Sequence, residues 1–461
     1  MKKVFLLVTG CWILVTGVYA QLVSQRLQNA FQQFESDSQL RHAISSLYVI
    51  DAKTGQVVFD KNSQIGLAPA STQKIITSVT AFELLAKDFR YKTEVGIIFG
   101  EKSSSIYLKP SGDPTFGSWR WSATEEAFIL DKLVNRIKPH IKSTDSNVYV
   151  NQKGWDTQSI PDGWIWQDIA NYYGAGAGVL NWRENQFDLL LKSGSKIGDL
   201  VEVVKTNPEL YSYKIHSNAS SAKAGSGDNA YLYFPVSGNE GIVKGTIPIN
   251  ENKFQISGAM PYPPIQFIET LRDSLFGKNK PYNHLSSIFL SEDPKVSHKI
   301  FYTHYSPSLD SIIYWFNKKS INLYGEALIK TFAYEKQGFG STDSGLAIVK
   351  KFWKEKGIDE DELNMYDGSG LSPLNRVTTH AQVEILKYAT TKDWFHYFYN
   401  SLPLYNGMVM KSGTISDVKG FCGYHKAKDG KEYIFSFLVN NYSGKTSAMV
   451  NKMYKVLDAL K

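Results

Sequence analysis

The sequence predicts an α/β (α+β) protein. One sheet is built from both ends of the chain, helices pack on it, and a β-rich region is inserted between. Three observations predict this. Strand-like runs lie near the start, at Ile44–Ile50 and Gln56–Phe59. Three more lie near the end, at Val409–Ser412, Gly420–Tyr424 and Tyr433–Asn440. From Tyr91 to Met260, short apolar runs alternate with Gly, Pro, Asn and Ser, the punctuation of a β-rich region.

The first twenty residues read as an export signal. Lys2 and Lys3 form a charged start, an apolar run follows to Val18, and Val18-Tyr19-Ala20 offers a small residue before Gln21. The run is shorter than the ~20 apolar residues that a membrane span prefers. The expected location is therefore outside the cytoplasm, in the periplasm or cell envelope. Loss of the leader would remove Cys11, leaving Cys422 alone and no internal disulfide.

Leu22 to Phe34 then places Leu27, Ala30, Phe31 and Phe34 at helical spacing. The first two strands are joined by the turn Asp51-Ala52-Lys53-Thr54-Gly55. Next comes Ala68-Pro69-Ala70-Ser71-Thr72-Gln73-Lys74, followed by Ile75, Ile76, Val79, Phe82 and Leu85 as an apolar stripe. Pro69 and Ser71 suit a helix N-terminus. Beyond Pro263 the periodicity becomes helical, with Phe267–Leu275, Leu309–Phe316 and Asn322–Phe332 as helices. A last helix starts at Lys445 and aligns Met449, Met453, Val456 and Leu460. The expected domains are a leader (1–20), a main domain (21–92 with 262–461) and an inserted β-rich region (93–261) of two small domains.

Composition narrows the function classes. The formal charge is +7 and the lysines are scattered, which argues against nucleic acid. The positive balance fits weak membrane association or attraction to anionic envelope polymers. Nine histidines show no His-Glu-x-x-His or other ligand spacing, so no metal and no cofactor are expected. No feature of the sequence signals an oligomeric state.

Ser71 and Lys74 carry the sharpest chemistry. Three residues apart, they share a helix face. A helix N-terminus offers free N–H groups and a positive dipole end. A lysine held against apolar surface loses its proton more easily and can act as a base, so the pair is a candidate activated nucleophile. Ser-x-x-Lys alone is weak, since roughly two chance matches are expected at this length. Ser193–Lys196 and Ser220–Lys223 are such matches, in polar stretches without an apolar helix behind them. Two further motifs add weight: Ser320-Ile321-Asn322 between helices, and Lys411-Ser412-Gly413-Thr414 on a strand of the C-terminal set.

In this order the motifs resemble those of the serine penicillin-recognising enzymes, the penicillin-binding proteins and serine β-lactamases. Within them the chain is similar to the D-alanyl-D-alanine carboxypeptidase/endopeptidase group, the class C low-molecular-mass penicillin-binding proteins or peptidase family S13. The long interval from Ser71 to Ser320 fits that group's inserted domains. Gly112-Asp113-Pro114-Thr115, Pro161-Asp162-Gly163-Trp164 through Gly174, Asn181–Asn185 and Asp367-Gly368-Ser369-Gly370-Leu371-Ser372 match its further stretches. Ser412 stands where the group has threonine, Thr414 where serine is common, and Pro373 where a basic residue is usual.

The resemblance implies a penicillin-binding-protein/β-lactamase-like transpeptidase domain. It implies a serine carboxypeptidase or endopeptidase acting on peptidoglycan stem peptides and acylated by β-lactams. Ser71 would be the nucleophile and Lys74 its base. Ser320 would relay a proton to the leaving amine, assisted by Lys411. Asn322 would hold the substrate amide. The backbone N–H groups of Ser71 and Thr414 would form the oxyanion hole, and Lys411, Ser412, Gly413 and Thr414 would line the carboxylate subsite. Two other readings use the same residues: a serine β-lactamase, marked by steady penicillin turnover, and a β-lactam- or wall-binding protein that releases no D-alanine.

Overall fold

The two ends of the chain build one six-stranded antiparallel sheet, whose central strands are buried on both faces. The structure is a computed structural model that describes residues 23–100, 103–141, 146–211, 213–235, 237–278, 287–294 and 297–461. The leader expected over residues 1–20, with Cys11, lies outside the described residues. The chain divides into two compact units, residues 1–83, 313–320 and 349–461 in the first, 84–312 and 321–348 in the second.

In the first unit, α1 spans residues 23–35, β1 Ile44–Asp51, β2 Val57–Lys61, α2 Lys74–Leu85 and α3 Thr379–Thr390. It continues with β3 (Leu404–Tyr405), β4 (Met408–Ile415), β5 (Val418–Lys426), β6 (Glu432–Asn440) and α4 (Thr446–Leu457). The sheet order is β3-β4-β5-β6-β1-β2, so first and last strands of the unit meet through β1 and β6. This is the α+β class that the sequence predicts.

One face of that sheet carries an apolar core. Leu27, Phe31 and Phe34 of α1 meet Met449, Met453 and Val456 of α4 and Phe421, Phe435 and Phe437 of the strands. Burying one such side chain contributes about 1.5–3 kcal/mol, so truncating Phe31 or Met453 would loosen the helix it belongs to. The other face meets the Ser71 segment. α2 differs from a one-sided stripe: Lys74 to Phe82 are all buried, including Thr77, Ser78 and Thr80. Partners far away in sequence satisfy these polar groups. Thr77 Oγ1 donates to Gly368 O, Thr80 Oγ1 accepts from Trp353 Nε1, and Ser78 pairs with Asn317.

Among the described residues the second unit holds three sheets. One has five strands in the order Ser287–Leu290, Val148–Asn151, Ser105–Lys109, Lys92–Ile98, His298–Tyr305. Helices Glu126–Ile137 and Pro263–Phe276 share its apolar core. The two smaller sheets enclose a separate core that includes Phe187, Leu189, Leu232, Val243 and Ile247. The strands Ser287–Leu290 and His298–Tyr305 fall in a stretch whose overall periodicity reads as helical. Their β-branched and aromatic residues suit strands, and the pairing partners lie far away in sequence.

Candidate active site

Ser71 sits on a single 3₁₀ turn, Ala70–Gln73, and the α-helix starts at Lys74. In 3₁₀ geometry residues i and i+3 eclipse, so the turn still brings Lys74 over Ser71. Lys74 Nζ donates to Ser71 Oγ at 3.0 Å and to Ser369 O at 2.7 Å, and lies 5.6 Å from the centroid of the Phe316 ring. Lys74 is fully buried. Ala70, just before the serine, has φ 46, a left-handed conformation that costs a non-glycine residue of order 1–3 kcal/mol.

The loop that meets Lys74 is held by one carboxylate. Asp367 accepts from Gly370 N at 2.7 Å, Ser372 N at 2.6 Å, and the side chains of Asn375 and Gln73 at 3.0 Å each. Gly370 has φ +83, and a Cβ there would lie 1.9 Å from Ala70 O. Glycine thus lets the loop press on the Ser71 turn, which puts Ser369 O in reach of Lys74.

Strand β4 approaches the same turn. A Cβ on Gly413 would lie 2.6 Å from Pro69 O, 2.8 Å from Ser71 N and 2.9 Å from Thr72 N. Only glycine allows that approach. Alternation puts Lys411 and Gly413 on one face of β4, Ser412 and Thr414 on the other. Lys411 is buried, and its Nζ donates to Ser320 Oγ at 3.0 Å and to Ser412 O at 2.9 Å. Ser320 has φ 56, a second left-handed non-glycine residue. On the opposite face, Lys419 of β5 is paired directly across from Thr414. Its Nζ donates to Ser412 Oγ at 2.7 Å and Thr414 Oγ1 at 2.8 Å.

Burial sets the electrostatics of both cations. It pushes Lys411 down to about 7, with the Lys419 charge adding a smaller push the same way. It brings Lys419 down to about 8. Cys422, directly across from Lys411, is buried and its thiol is pushed up by desolvation, so it stays protonated and inert. Asn322 belongs to the second unit, where its Nδ2 donates to Tyr173 O at 2.7 Å.

The sequence pattern of a known family covers nearly all of this, matching residues 27–460. The chain belongs to the D-Ala-D-Ala carboxypeptidase 3 (S13) family. It is by family a serine-type D-Ala-D-Ala carboxypeptidase. A D-alanyl-D-alanine carboxypeptidase of Actinomadura sp. (strain R39) is 26% identical over 447 residues, 88% of this chain and 80% of that protein. The crystal structure of penicillin binding protein 4 (dacB) from Haemophilus influenzae shares the fold. Its TM-score is 0.77 at 18% identity, over 94% of this chain and 98% of that one. A structure of the same Haemophilus influenzae protein complexed with a β-lactam matches at TM-score 0.70, with the same identity and coverage.

Within this S13 chain the first unit brings Ser71 to Lys74, and Lys411 to Ser320. It sets Gly413 against the nucleophile turn and both hydroxyls of Ser412 and Thr414 on Lys419. The motifs give two participants no role, although Ser369 falls within the matched Asp367–Ser372 stretch. Ser369 contributes a carbonyl, which sequence does not single out. Lys419 is a lysine on a strand whose other residues, Val418 to His425, are all buried. A charged residue inside an otherwise buried run is the signal that could have marked it.

Proposed function

We propose that this protein is an exported D-Ala-D-Ala carboxypeptidase and/or D-Ala–diamino acid endopeptidase. It acts on peptidoglycan stem peptides through an acyl-enzyme on Ser71, and β-lactams acylate the same serine. The observation that carries this reading is the contact of Lys74 Nζ with Ser71 Oγ at 3.0 Å, in one unit with Lys411 on Ser320.

Ser71 Oγ attacks the carbonyl of the D-Ala bond while Lys74, as the free amine, takes its proton. The oxyanion forms between the N–H groups of Ser71 and Thr414. The close packing of Gly413 on Ser71 N supports that pairing, because Thr414 N is the next backbone donor along β4. Ser320 passes a proton to the departing amine, with Lys411 at 3.0 Å to supply it. The carboxylate beyond the scissile bond meets the Ser412 and Thr414 hydroxyls. Water then releases the acyl group. The family resemblance assigns Asn322 to the substrate amide. The β-lactam complex of the Haemophilus influenzae protein is in keeping with acylation here.

We assign residues 1–20 to an export leader, so the mature chain would begin at Gln21. No helix among the described residues is long and apolar enough to cross a membrane. We assign 93–261 to an insertion of two small domains in a catalytic domain formed by 21–92 and 262–461. Two separate apolar cores support two small bodies, and the first, which draws on Phe267, Ile268, Leu271 and Leu275, extends its body past residue 261.

The test has two arms. A fluorescent penicillin should label the mature protein covalently, and peptide mapping should find the adduct on Ser71. Incubation with purified peptidoglycan fragments should release D-alanine or cleave D-Ala cross-links, read by mass spectrometry. An adduct elsewhere, or a folded protein that yields no product, overturns the proposal. Steady turnover of penicillin would favour a β-lactamase instead.

A further inference from the structure

Lys419 has a place in the site that no motif assigns. It is buried, it lies directly across from Thr414 in the β4–β5 pair, and its Nζ lies over the Phe421 ring, 4.6 Å from the centroid. Its ammonium donates to two hydroxyls and to no carboxylate. Among the described residues Lys411 likewise has no acidic partner. Two buried cations therefore flank the Ser412–Thr414 segment, one on each face of the strand. Burying a cation is costly unless an anion joins it.

The hydrogen bonds also fix a direction. A hydroxyl has one hydrogen to donate and two lone pairs to accept. An ammonium only donates. Ser412 Oγ and Thr414 Oγ1 must therefore accept from Lys419, and each keeps its own hydrogen for another partner. Among the described residues no protein acceptor takes either hydrogen. Ser412 is half-buried and Thr414 exposed.

We infer that Lys419 is a positioning residue for the carboxylate of the substrate. It orients the Ser412 and Thr414 hydroxyls as a pair of donors and supplies the second positive charge of the subsite. This deepens the function proposed above and rests on it. The ligand chemistry is a carboxylate one residue beyond the scissile carbonyl, whether from a free D-Ala terminus or a diamino acid cross-link. Lys411 and Lys419 then divide the work. Lys411 serves Ser320 and proton transfer on one face, and Lys419 sets hydroxyl polarity on the other. With Lys419 present, serine at 412 keeps a defined direction without the methyl group that restrains threonine.

The experiment uses the full mature protein with Lys419→Met and Lys419→Arg. Methionine keeps an unbranched apolar stem and removes the charge. Arginine keeps the charge and the donors. Each variant is assayed on two matched thioester substrates, one ending in a free carboxylate and one in a carboxamide. Labelling by fluorescent penicillin is measured alongside. For Lys419→Met the ratio of kcat/KM values, carboxylate over carboxamide, should fall about 10- to 100-fold, the weight of a lost charge-assisted hydrogen bond. The fall should come mainly through KM, and Lys419→Arg should recover most of it. Equal losses on both substrates, or an unchanged ratio in a folded Lys419→Met protein, overturn the inference. Failure of the underlying function is distinct: the wild-type protein would then neither take up penicillin at Ser71 nor turn over either substrate.

Discussion

Gly413 lies so close to the nucleophile turn that a methyl group on its Cα would sit 2.8 Å from Ser71 N. Pro69 O and Thr72 N lie as near. Gly413→Ala must push β4 away from the turn and widen the gap between the N–H groups of Ser71 and Thr414. Loss of one oxyanion donor costs about 10²–10³ in rate. We expect β-lactam acylation to fall by at least ~10²-fold while the protein still folds. Stopped-flow acylation together with a thermal melt checks this; near-normal acylation would refute the tight packing or its role.

Lys74 tests the base. Arginine keeps the charge but stays protonated at any working pH, so Lys74→Arg can hold Ser71 yet cannot take its proton. Acylation should drop by at least ~10²-fold, the lower end for general base catalysis. A folded variant that acylates at the wild-type rate would assign the proton to another group.

The two depressed lysines give a pH profile. Lys411 titrates near 7 and Lys419 near 8, each lowered first by burial. The ammonium form attracts a carboxylate, so the attraction fades as pH rises through this range. For carboxylate substrates kcat/KM, which reports the free enzyme, should decline on an alkaline limb between about pH 7 and 9. A carboxamide substrate should lack the part of the limb that comes from anchoring. In Lys419→Arg the step near 8 should vanish, since arginine keeps its proton. Superimposable profiles for the two substrates would speak against anion anchoring by either lysine.

Stability in the second unit should depend on Asp113. Its Oδ1 accepts from Thr115 N and Oγ1, while Oδ2 faces His304 Nε2 at 3.9 Å. Burial raises the carboxyl from its ordinary 3.8 to about 6 and lowers His304 to about 4. A folded value above the unfolded one means that the stabilisation is complete below about pH 4 and is lost as pH rises through 6. The shift is worth on the order of 3 kcal/mol. Relative to Asp113→Asn, the wild type should therefore lose about 2 kcal/mol between pH 4.5 and 7.5, the remainder being lost already below pH 4.5. His304 faces the side chain that is changed, so the comparison reads Asp113 together with its coupling to His304. Urea unfolding at the two pH values measures it, and a difference that does not change with pH would contradict the assignment.

Side-chain spacing along the chain suffices for the class and the local chemistry. Strand periodicity at both ends and helical stripes between them follow from side-chain spacing, and the sheet that joins β1 to β6 is the outcome. Ser71 and Lys74 are close for the same local reason, since one turn of either 3₁₀ or α-helix stacks residues three apart. What lies around them depends on packing between distant segments. Lys411 and Ser320 are 91 residues apart, and Lys74 and Ser369 are 295 apart, so their contacts arise from packing. The strand His298–Tyr305 was hidden for the same reason, because its partner is Lys92–Ile98. Lys419 shows the limit most clearly. A lysine in a strand reads as solvent-facing, and its meaning changes only when folding buries the ammonium beneath two hydroxyls. The apolar run around Lys419 marks the strand as buried, but desolvation of the ammonium is a property of the packed surroundings.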